Sequence, residues 1–299
     1  MTRVAKLMGL TVWMLGAAGL LLALPACGPS LAAMTPATPE RPRVQMLDLG
    51  IANAYVIYGR RPILFDSGTA GEADGLVKDL DRLGIKRGDL ALIVLSHGHA
   101  DHAGGAGRIR DVWHAPIVVG RDDVEMLHAG HNRTLRPMSF TARLLRPFVD
   151  KTFTPYAPDI EVTAPIDLTP SGIDGRILPA PGHTPGSQVL LLADGDVFVG
   201  DLLLGGYLGG AMFASSPGTH YFHDDRARAE AQICAVIRDG GKRLYLGHGG
   251  PVSAEDAWKK FCAGSGNLGQ DQNVLKKAMS ARLSPSVNAG SSLKNDVPK

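Results

Sequence analysis

The stretch Leu95-Ser96-His97-Gly98-His99-Ala100-Asp101-His102-Ala103-Gly104-Gly105 places three histidines and one carboxylate within six residues. It continues an apolar run that begins at Leu92, a run long enough for a buried strand and too short for a helix. Imidazole nitrogens and carboxylate oxygens are ligands that divalent metals such as zinc prefer. Because this density of ligand types is unusual for surface or core histidines, we expect a metal site at the end of the strand.

The spacing within this motif divides the ligands into two pairs. On extended backbone, alternate side chains point the same way, so His97 and His99 face one ion. Asp101 and His102 follow after a turn and can face a second ion. One short motif therefore predicts ligands for two metal ions.

The beginning of the chain has the pattern of an export signal. Arg3 and Lys6 precede an uncharged apolar run from Leu7 to Leu24, which ends at Leu24-Pro25-Ala26-Cys27. These four residues resemble a bacterial lipoprotein box, in which Cys27 would become the acylated first residue, although Pro25 departs from the usual small residue. Cleavage near Ser30-Leu31-Ala32 or after Ala33 is an alternative, as is an uncleaved anchor, since about 18 apolar residues is the lower limit for a membrane span.

The rest of the chain divides by composition. We expect an export signal at 1–27, a linker rich in proline and alanine at 28–42, one domain at 43–262, and a flexible tail at 263–299. The chain has 31 Lys+Arg and 29 Asp+Glu, a balance without the basic excess typical of nucleic-acid binding. The sequence thus predicts an exported, periplasmic protein with a small-molecule partner, no nucleic-acid partner, and membrane attachment if Cys27 is lipidated.

Two cysteines other than Cys27, Cys234 and Cys262, lie in apolar helical surroundings. An oxidising compartment would preserve a disulfide between them, but two separately buried thiols fit the pattern at least as well. Neither cysteine has the spacing of a metal ligand. The predicted metal centre therefore uses nitrogen and oxygen ligands only.

Local patterns predict several elements around the motif. Ala54–Tyr58 and Ile63–Phe65 read as a hairpin. From Glu72, leucines recur at helical spacing until Gly84. Asp66, at the end of the second hairpin strand, fits two roles equally: a carboxylate that orients a ligating histidine, or a turn residue bonded to nearby backbone. Further helices are expected at 224–238 and after a capping box at Ser253.

With Asp66-Ser67-Gly68 upstream, the His-x-His-x-Asp-His motif resembles the metallo-β-lactamase superfamily, over about residues 43–262. Three later segments match the same pattern: Pro181-Gly182-His183-Thr184-Pro185-Gly186, the acid after Val197-Phe198-Val199-Gly200, and Gly247-His248-Gly249. The resemblance implies an α/β (α+β) fold, a four-layer αββα sandwich with the metals at one edge of the paired sheets.

The resemblance also implies a ligand set of seven residues. His183 would complete the first metal beside His97 and His99, His248 would complete the second beside Asp101 and His102, and Asp201 would bridge both. Two divalent ions, Zn²⁺ first and Fe or Mn as alternatives, would hold a bridging hydroxide as the nucleophile. Asp101 has a second expected role, steering that hydroxide or passing its proton to the leaving group. Asp101 and Asp201 are thus the predicted catalytic residues.

Two segments are expected to shape the substrate site. Residues 131–156 interleave arginines with apolar side chains, which favours an amphipathic element packed on the domain over an anion-binding cap. Residues 202–222 are rich in glycine and aromatic side chains, as in a loop that lines a pocket. Within it, Tyr207 is a candidate hydrogen-bond donor to a substrate carbonyl, or else ordinary packing. His220 and His223 lie outside the matched motifs and are interpreted as loop or helix-entry residues.

The expected activity is hydrolysis of a carbonyl ester-type bond, with a lactone or carboxylic ester first. Thioesters of the glyoxalase II type, phosphotriesters and β-lactams are alternatives, the last weakened because true β-lactamases carry Cys or Ser where Asp201 stands. Two other classes stay open. One is an iron-dependent persulfide dioxygenase, which would bind one iron through His97, His183 and Asp201, and the other is a non-catalytic metal-binding module.

Overall fold

This computed structural model describes residues 30–31, 44–50 and 52–263 of the chain. The predicted export signal, Cys27, and nearly all of the predicted linker and tail lie outside those residues. Within them, no helix combines the length and the hydrophobicity needed to cross a bilayer.

Two sheets form the middle of the domain. The first joins seven strands of the described chain in sequence order: β1 (Ser30–Leu31), β2 (Val44–Asp48), β3 (Asn53–Ile57), β4 (Ile63–Phe65), β5 (Leu92–Val94), β6 (Ile117–Gly120) and β7 (Ile160–Val162). The second contains β8 (Ile166–Asp167), β9 (Gly175–Pro179), β10 (Gln188–Leu192), β11 (Asp196–Gly200), β14 (Arg243–Leu246) and β15 (Val252–Ser253). Its strand order is β15-β14-β11-β10-β9-β8, and a separate hairpin pairs β12 (Leu204–Tyr207) with β13 (Met212–Gly218).

The helices cover the outer faces of the sheets and the edge between them. They are α1 (Ala73–Arg82), α2 (Ala100–Ala103), α3 (Ala106–Trp113), α4 (Val124–Ala129), α5 (Phe140–Val149), α6 (Arg226–Arg238) and α7 (Ala254–Phe261), with 3₁₀ turns at Arg121–Asp123 and Thr169–Ser171. Leu76 and Leu80 bury the inner face of α1 as their spacing predicts, and Gly84 follows it at φ +75°. The predicted capping box at α7 is also confirmed, since the Ser253 hydroxyl accepts from the Asp256 amide at 3.0 Å.

Three of the four hydrophobic clusters in the described residues fill the three interfaces between four layers. Tyr55, Phe198 and Tyr245 pack between the two sheets, with the Phe198 and Tyr245 rings stacked 4.8 Å apart. Outside the first sheet, Leu76 of α1 and Trp113 of α3 pack in a second cluster. α6 and α7 cover the second sheet in a third cluster. The predicted αββα sandwich is confirmed, and burial of apolar side chains at each of its three interfaces stabilises it.

A disulfide between Cys234 and Cys262 joins α6 to the end of α7. Its Cα atoms lie 5.8 Å apart, within the usual range for a bridged pair. Of the two alternatives that the sequence allows, the structure contains the bridged one.

Parallel pairing decides where the functional side chains meet. β4, β5 and β6 run parallel in the first sheet, and β11 and β14 run parallel in the second. The carboxyl ends of these strands therefore lie at one edge of the sandwich. The loops that leave them carry the predicted ligands.

Candidate metal centre

The structure brings all seven predicted ligand side chains to this edge and buries each of them. His97 and His99 leave β5, Asp201 directly follows β11, and His248 follows β14. His183 sits on the loop between β9 and β10. The side chains form two groups whose ligand atoms all lie within 4.8 Å of one another, His97 with His99 and His183, and Asp101 with His102 and His248.

In the first group the imidazole nitrogens converge on one point. His97 Nε2 lies 3.0 Å from His99 Nδ1, which lies 3.1 Å from His183 Nε2. Burial, above all, lowers the pKa of His99 to about 4, and it lowers the pKa values of His97 and His183 well below the ordinary histidine value. Three neutral rings with lone pairs are what a divalent metal requires.

The second group is rich in carboxylate. His248 Nε2 lies 3.4 Å from Asp101 Oδ2 and 3.4 Å from His102 Nε2. Burial opposes protonation of His248, but Asp201 and Asp101 outweigh it and raise its pKa to about 10. The pKa of His102 is likewise raised against burial, by Asp201, Asp101 and Asp66. Without a cation, protons on these rings balance the buried carboxylates.

Asp201 lies between the two groups. Its Oδ2 is 3.9 Å from His97 Nε2 and 3.7 Å from His183 Nε2 on one side. On the other side it is 3.3 Å from both His102 Nε2 and His248 Nε2. This oxygen is thus within reach of both groups, the position that the bridging role requires.

Asp66 fixes the rings of two histidines. Its carboxylate accepts from His102 Nδ1 at 3.0 Å, from the Ser96 hydroxyl at 2.8 Å and from the Ser96 amide at 2.6 Å. Because the Ser96 hydroxyl hydrogen points to Asp66, its oxygen accepts from the Nδ1–H of His97, 2.9 Å away. Both histidines therefore turn Nε2 toward the centre. Of the two roles that the sequence allows for Asp66, the geometry favours orientation of a ligand.

The donor set fits divalent cations. Asp201 Oδ1 and His183 Nδ1 are buried without a hydrogen-bond partner. Ring lone pairs face one another at 3.0 to 3.1 Å in the first group, where only one hydrogen is available for each neutral imidazole. A bound cation would stabilise this cluster of buried acceptor atoms, because it would give them the partner that hydrogen bonds do not. The residues present could hold two ions, one in each group.

His220 belongs to this centre, contrary to its interpretation as a loop residue. Its Nε2 lies 3.1 Å from Asp201 Oδ2, nearer than any of the four predicted histidines that surround that oxygen. The ring stacks on His248, and Nδ1 lies 3.1 Å from the Phe222 carbonyl. Because the end of the β12–β13 hairpin folds back over the centre, His220 reaches it from outside the matched motifs. Its only sequence signal is a histidine in the loop expected to line the pocket.

Asp123 is a second residue without a predicted role. Fully buried after β6, its carboxylate accepts from the amides of Gly98 and Gly186, both at 2.9 Å, and from the Thr184 hydroxyl at 2.6 Å. Burial raises its pKa. Gly98 separates His97 from His99, and Thr184 follows His183, so one carboxylate ties together the two loops that carry the first group. The sequence signal for Asp123 is its position, as an acidic residue shortly after the apolar run Ile117–Gly120.

A cavity of about 230 Å³ opens onto the centre. His99, Asp101, Asp201, His220 and His248 form its polar end. Apolar side chains form its walls, contributed by the segment before α5, by α5, by the hairpin and by the loop that follows it: Leu135, Leu145, Val149, Leu204, Leu208 and Phe222. The segments 131–156 and 202–222 therefore both supply the cavity, as expected.

Tyr207 does not reach this cavity. Its side chain is 63% exposed at the end of β12, while Leu204 and Leu208 line the wall. The side chain of Tyr207 therefore lies outside the cavity wall, and its hydrogen bond to a substrate carbonyl stays a prediction. Hairpin geometry is the reason, because Tyr207 pairs with Met212 just before the turn and points outward.

The model of the metallo-β-lactamase superfamily matches residues 47–248. The chain belongs to the metallo-β-lactamase superfamily. The superfamily region contains all seven predicted ligands together with His220 and Asp123. The protein is thus a metallo-hydrolase, as the sequence predicts.

Curated relatives include several hydrolases. A probable metallo-hydrolase of Methanocaldococcus jannaschii is 32% identical over 152 residues, which cover 51% of this chain and 67% of that protein. The probable metallo-hydrolase YflN of Bacillus subtilis is 25% identical over 236 residues, 71% of this chain and 86% of that protein. An N-acyl homoserine lactonase of a Bacillus species is 33% identical over 121 residues, 40% of each chain.

Solved structures share the superfamily fold. The B3 metallo-β-lactamase BLEG-1 superposes with a TM-score of 0.56 at 22% identity, covering 75% of this chain and all of that one. The B3 enzyme BJP-1 of Bradyrhizobium japonicum superposes at 0.50 with 18% identity, covering 82% of this chain and 95% of that one. Because the sequence identities are only 22% and 18%, the similarity to these two structures shows a shared fold alone.

Proposed function

We propose that this metallo-hydrolase opens the ester bond of a lactone or carboxylic ester that carries an apolar acyl chain. The observation that carries the proposal is the cavity, whose polar end is the candidate metal centre and whose walls are aliphatic and aromatic. Such a shape places a polar carbonyl at the centre and an acyl chain against Leu135, Leu145 and Val149.

Charge supports an uncharged substrate. Among the residues that the structure describes, no lysine or arginine lines the cavity. Against the apolar walls, away from the metal centre, the carboxylates of a glutathione thioester would have no cationic side chain to pair with, and burial of an unpaired charge is costly.

Relatives support the same bond type. The N-acyl homoserine lactonase aligns over 40% of its length, and a hydroxyacylglutathione hydrolase of Anaeromyxobacter dehalogenans is 27% identical over 47% of its length. Because the chain covers less than half of either protein, these names indicate acyl hydrolysis as a class. The apolar walls favour the lactone over the glutathione thioester.

Each side chain then has a defined task. The two groups would hold divalent ions, which would supply Lewis acidity and lower the pKa of a water so that it can act as a nucleophile at neutral pH. Asp201 and the orienting carboxylate Asp66 hold the ligand geometry. Asp101 faces the cavity, where it accepts a proton from the attacking water and returns it to the leaving alkoxide, so that water and ester become acid and alcohol.

A substrate series tests the proposal. We expect kcat/KM on N-acyl homoserine lactones to rise about fourfold for each added methylene until the cavity is filled. Parallel assays use short alkyl esters, a glutathione thioester, a phosphotriester and a β-lactam. Higher kcat/KM on any of the last three classes, or no effect of acyl length, would contradict the proposal.

Neighbouring leucines on α5 provide a matched control. Leu145 lines the cavity, whereas Leu144 is 59% exposed and does not. Leu145→Asn should flatten the dependence on acyl length and leave short esters unaffected. Leu144→Asn should keep the dependence of the wild type.

We propose further that the protein is exported and that Cys27 becomes its lipidated first residue. The signal-like pattern of residues 1–27 supports this, as does the Cys234–Cys262 disulfide, a bond that persists in oxidising compartments. Mass spectrometry of the mature N-terminus should find acylated Cys27. An intact Met1 would indicate an uncleaved anchor, and a start beyond Ala32 would indicate ordinary signal cleavage.

A further inference from the structure

In the described part of the chain, every large hydrophobic side chain that is exposed lies on one of two segments. Met138, Phe140 and Leu144 belong to the start of α5 and the residues before it, and the others belong to the tip of the hairpin: Tyr207, Leu208, Met212 and Phe213. Phe140 is 75% exposed and Phe213 is 71% exposed. We call these seven residues the apolar rim. Soluble proteins rarely concentrate exposed apolar area in this way unless the area has a partner.

The two segments that carry the apolar rim also line the cavity, on two of its sides. Leu145 and Val149 of α5 line one wall, and Leu208 and Gly209 of the hairpin line another. Tyr221 connects the two segments, since its carbonyl accepts from the Met138 amide at 2.9 Å and its hydroxyl accepts from the Leu208 amide at 3.2 Å. Whatever covers the rim is therefore next to the entrance of the active site.

The hairpin exposes its apolar side chains at a conformational cost. Leu208 and Phe213 both have positive φ, 52° and 55°, a region that bulky residues seldom adopt. Leu208 is the first residue of the turn between β12 and β13, and Phe213 is the second residue of β13; glycine or asparagine at these positions would relieve the strain. Both the strained backbone and the exposure of these two side chains cost free energy in the isolated domain. Contact with a partner outside the domain would offset that cost.

The charged side chains next to the apolar rim are mainly arginines. Residues 131–149 contain four arginines and no acidic residue, and residues 202–223 contain no lysine, arginine, aspartate or glutamate. Arg136 is 72% exposed, with Asp224 3.7 Å away, and Arg146 faces Asp150 at 3.7 Å. Arg143 is exposed one residue before Leu144 on α5. These arginines outnumber the acidic residues that face them. A partner that complements this surface is therefore both apolar and anionic.

We propose that the apolar rim is the surface through which this protein binds an anionic lipid membrane. Phe140 and Leu144 stand one helical turn apart beside Arg143, the arrangement of an interfacial amphipathic helix. The hairpin tip adds a second group of apolar side chains without charge, suited to insertion between lipid headgroups. Aromatic and aliphatic side chains enter the headgroup region while the arginines contact the lipid phosphates.

Binding in this orientation turns the cavity toward the lipid. An ester or lactone with an acyl chain partitions into the same membrane, so the substrate class would be amphiphiles delivered from the bilayer. This last step rests on the proposed function, whereas membrane binding itself does not and is measured without turnover.

The test uses the full chain and vesicles of two compositions, phosphatidylcholine alone and an equimolar mixture with phosphatidylglycerol. We expect stronger binding to the anionic vesicles in a flotation assay. Hydrogen exchange should show vesicle-dependent protection of segments 138–149 and 204–218. This local readout separates the rim from any binding through residues 1–27.

Substitutions then test the two contributions. Phe140→Ser and Phe213→Ser should each weaken vesicle partitioning roughly tenfold, because each removes one large apolar side chain from the bilayer. Arg136→Gln with Arg143→Gln should weaken it about fivefold for each arginine and remove the preference for anionic lipid. Arg108→Gln with Arg121→Gln is the charge-matched control, since both arginines are more than half exposed and lie outside the rim. None of these residues lines the cavity, so activity on a soluble short ester should stay unchanged.

Two results would overturn the proposal. Vesicle binding that leaves 138–149 and 204–218 unprotected and is unaffected by the rim substitutions would assign binding to another part of the chain. Protection of these segments that rises with protein concentration in the absence of lipid would identify a second copy of the chain as the partner. Loss of hydrolysis with intact vesicle binding would instead contradict only the proposed function.

Discussion

At the scale of single residues, the candidate centre depends on side chains that hold the ligands as well as on the ligands themselves. Asp66 is fully buried at φ +61° and accepts hydrogen bonds from His102 and from both polar groups of Ser96. It thereby fixes which ring nitrogen of His97 and His102 faces the candidate metal centre. Such partners contribute to affinity because they remove the freedom of the ligand to turn away.

Asp66→Asn should lower metal affinity roughly 10 to 100-fold while the protein still folds. Asparagine adopts positive φ readily and can keep the bond from the Ser96 amide, but its NH₂ group cannot accept from His102. Competition with a chromophoric chelator measures the affinity. Asp79→Asn is the control, since Asp79 is also buried but pairs with Arg82 on α1. Equal affinities in the two variants would contradict the orienting role.

His220→Asn should reduce metal affinity by roughly tenfold or more, which equilibrium dialysis with elemental analysis can measure. Asparagine can replace the contact of Nδ1 with the Phe222 backbone but has no atom at the position of Nε2, 3.1 Å from Asp201. His220→Gln places its amide near Nε2 and should retain more metal. If the Asn and Gln variants both bind metal with wild-type affinity, His220 contributes nothing to metal binding and only stabilises the local backbone at Phe222.

At the scale of elements, loops from different strands are joined by buried polar contacts. Asp123, at the start of α4, holds the loop after β5 and the loop between β9 and β10 through Gly98, Gly186 and Thr184. Gly186 has no room for a side chain, since a Cβ there would lie 2.6 Å from the Asp123 side chain. The relative position of His97, His99 and His183 therefore depends on one carboxylate.

Asp123→Ala should lower the free energy of unfolding by about 3 kcal/mol or more, because two buried amides lose their acceptor. Metal affinity should fall with it, as the two loops separate. Chemical denaturation and metal titration measure the two effects. Asp122→Ala, at the exposed neighbouring position, should change neither. A stable Asp123→Ala variant would show that water replaces the carboxylate.

The disulfide joins α6 and α7 across a sequence separation of 28 residues. Cys234→Ser with Cys262→Ser should lower the free energy of unfolding by about 3 kcal/mol, because the crosslink restricts the unfolded chain. Metal content should be unchanged, since both helices pack on the outer face of the second sheet. Thermal unfolding measures the effect, and reduced wild-type protein should behave like the double variant. Identical melting of oxidised and reduced protein would contradict it.

At the scale of the whole molecule, the sandwich gathers three carboxylates and six histidines at one buried edge, namely Asp66, Asp101 and Asp201 with His97, His99, His102, His183, His220 and His248. The charge of this group is balanced by protons or by metal. Burial opposes the charge on His102 and His248, but the nearby carboxylates raise the pKa of each, that of His248 to about 10. The raised pKa values favour the protonated form of both rings at neutral pH in the metal-free protein.

Metal binding should release about two protons at pH 7, because ligating histidines must be neutral. Apparent affinity should rise with pH, about tenfold per pH unit for each proton released, up to the raised pKa of His248 and not beyond it. Calorimetry in buffers of different ionisation enthalpy counts the protons. A binding enthalpy that is the same in every buffer would contradict this charge balance.

The sequence by itself determined the centre and the family. The ligand types in His97 to His102 are chemically specific, and the resemblance to the superfamily adds His183, Asp201 and His248, each in a loop after an apolar strand with glycine beside it. The helices at Ala73–Arg82 and Ala254–Phe261 were also predictable, because leucine spacing and a capping serine act within a few residues.

Only the tertiary structure decided what depends on distant parts of the chain. His220, Asp123 and the orientation of Asp66 acquire their roles from contacts with residues 19 to 63 positions away, as with Asp201, Gly186 and Ser96. The outward direction of Tyr207, the pairing of Cys234 with Cys262, and the apolar rim also follow from packing. A pattern in sequence encodes local conformation and burial, whereas the meeting of side chains from separate loops is set by how the two sheets stack.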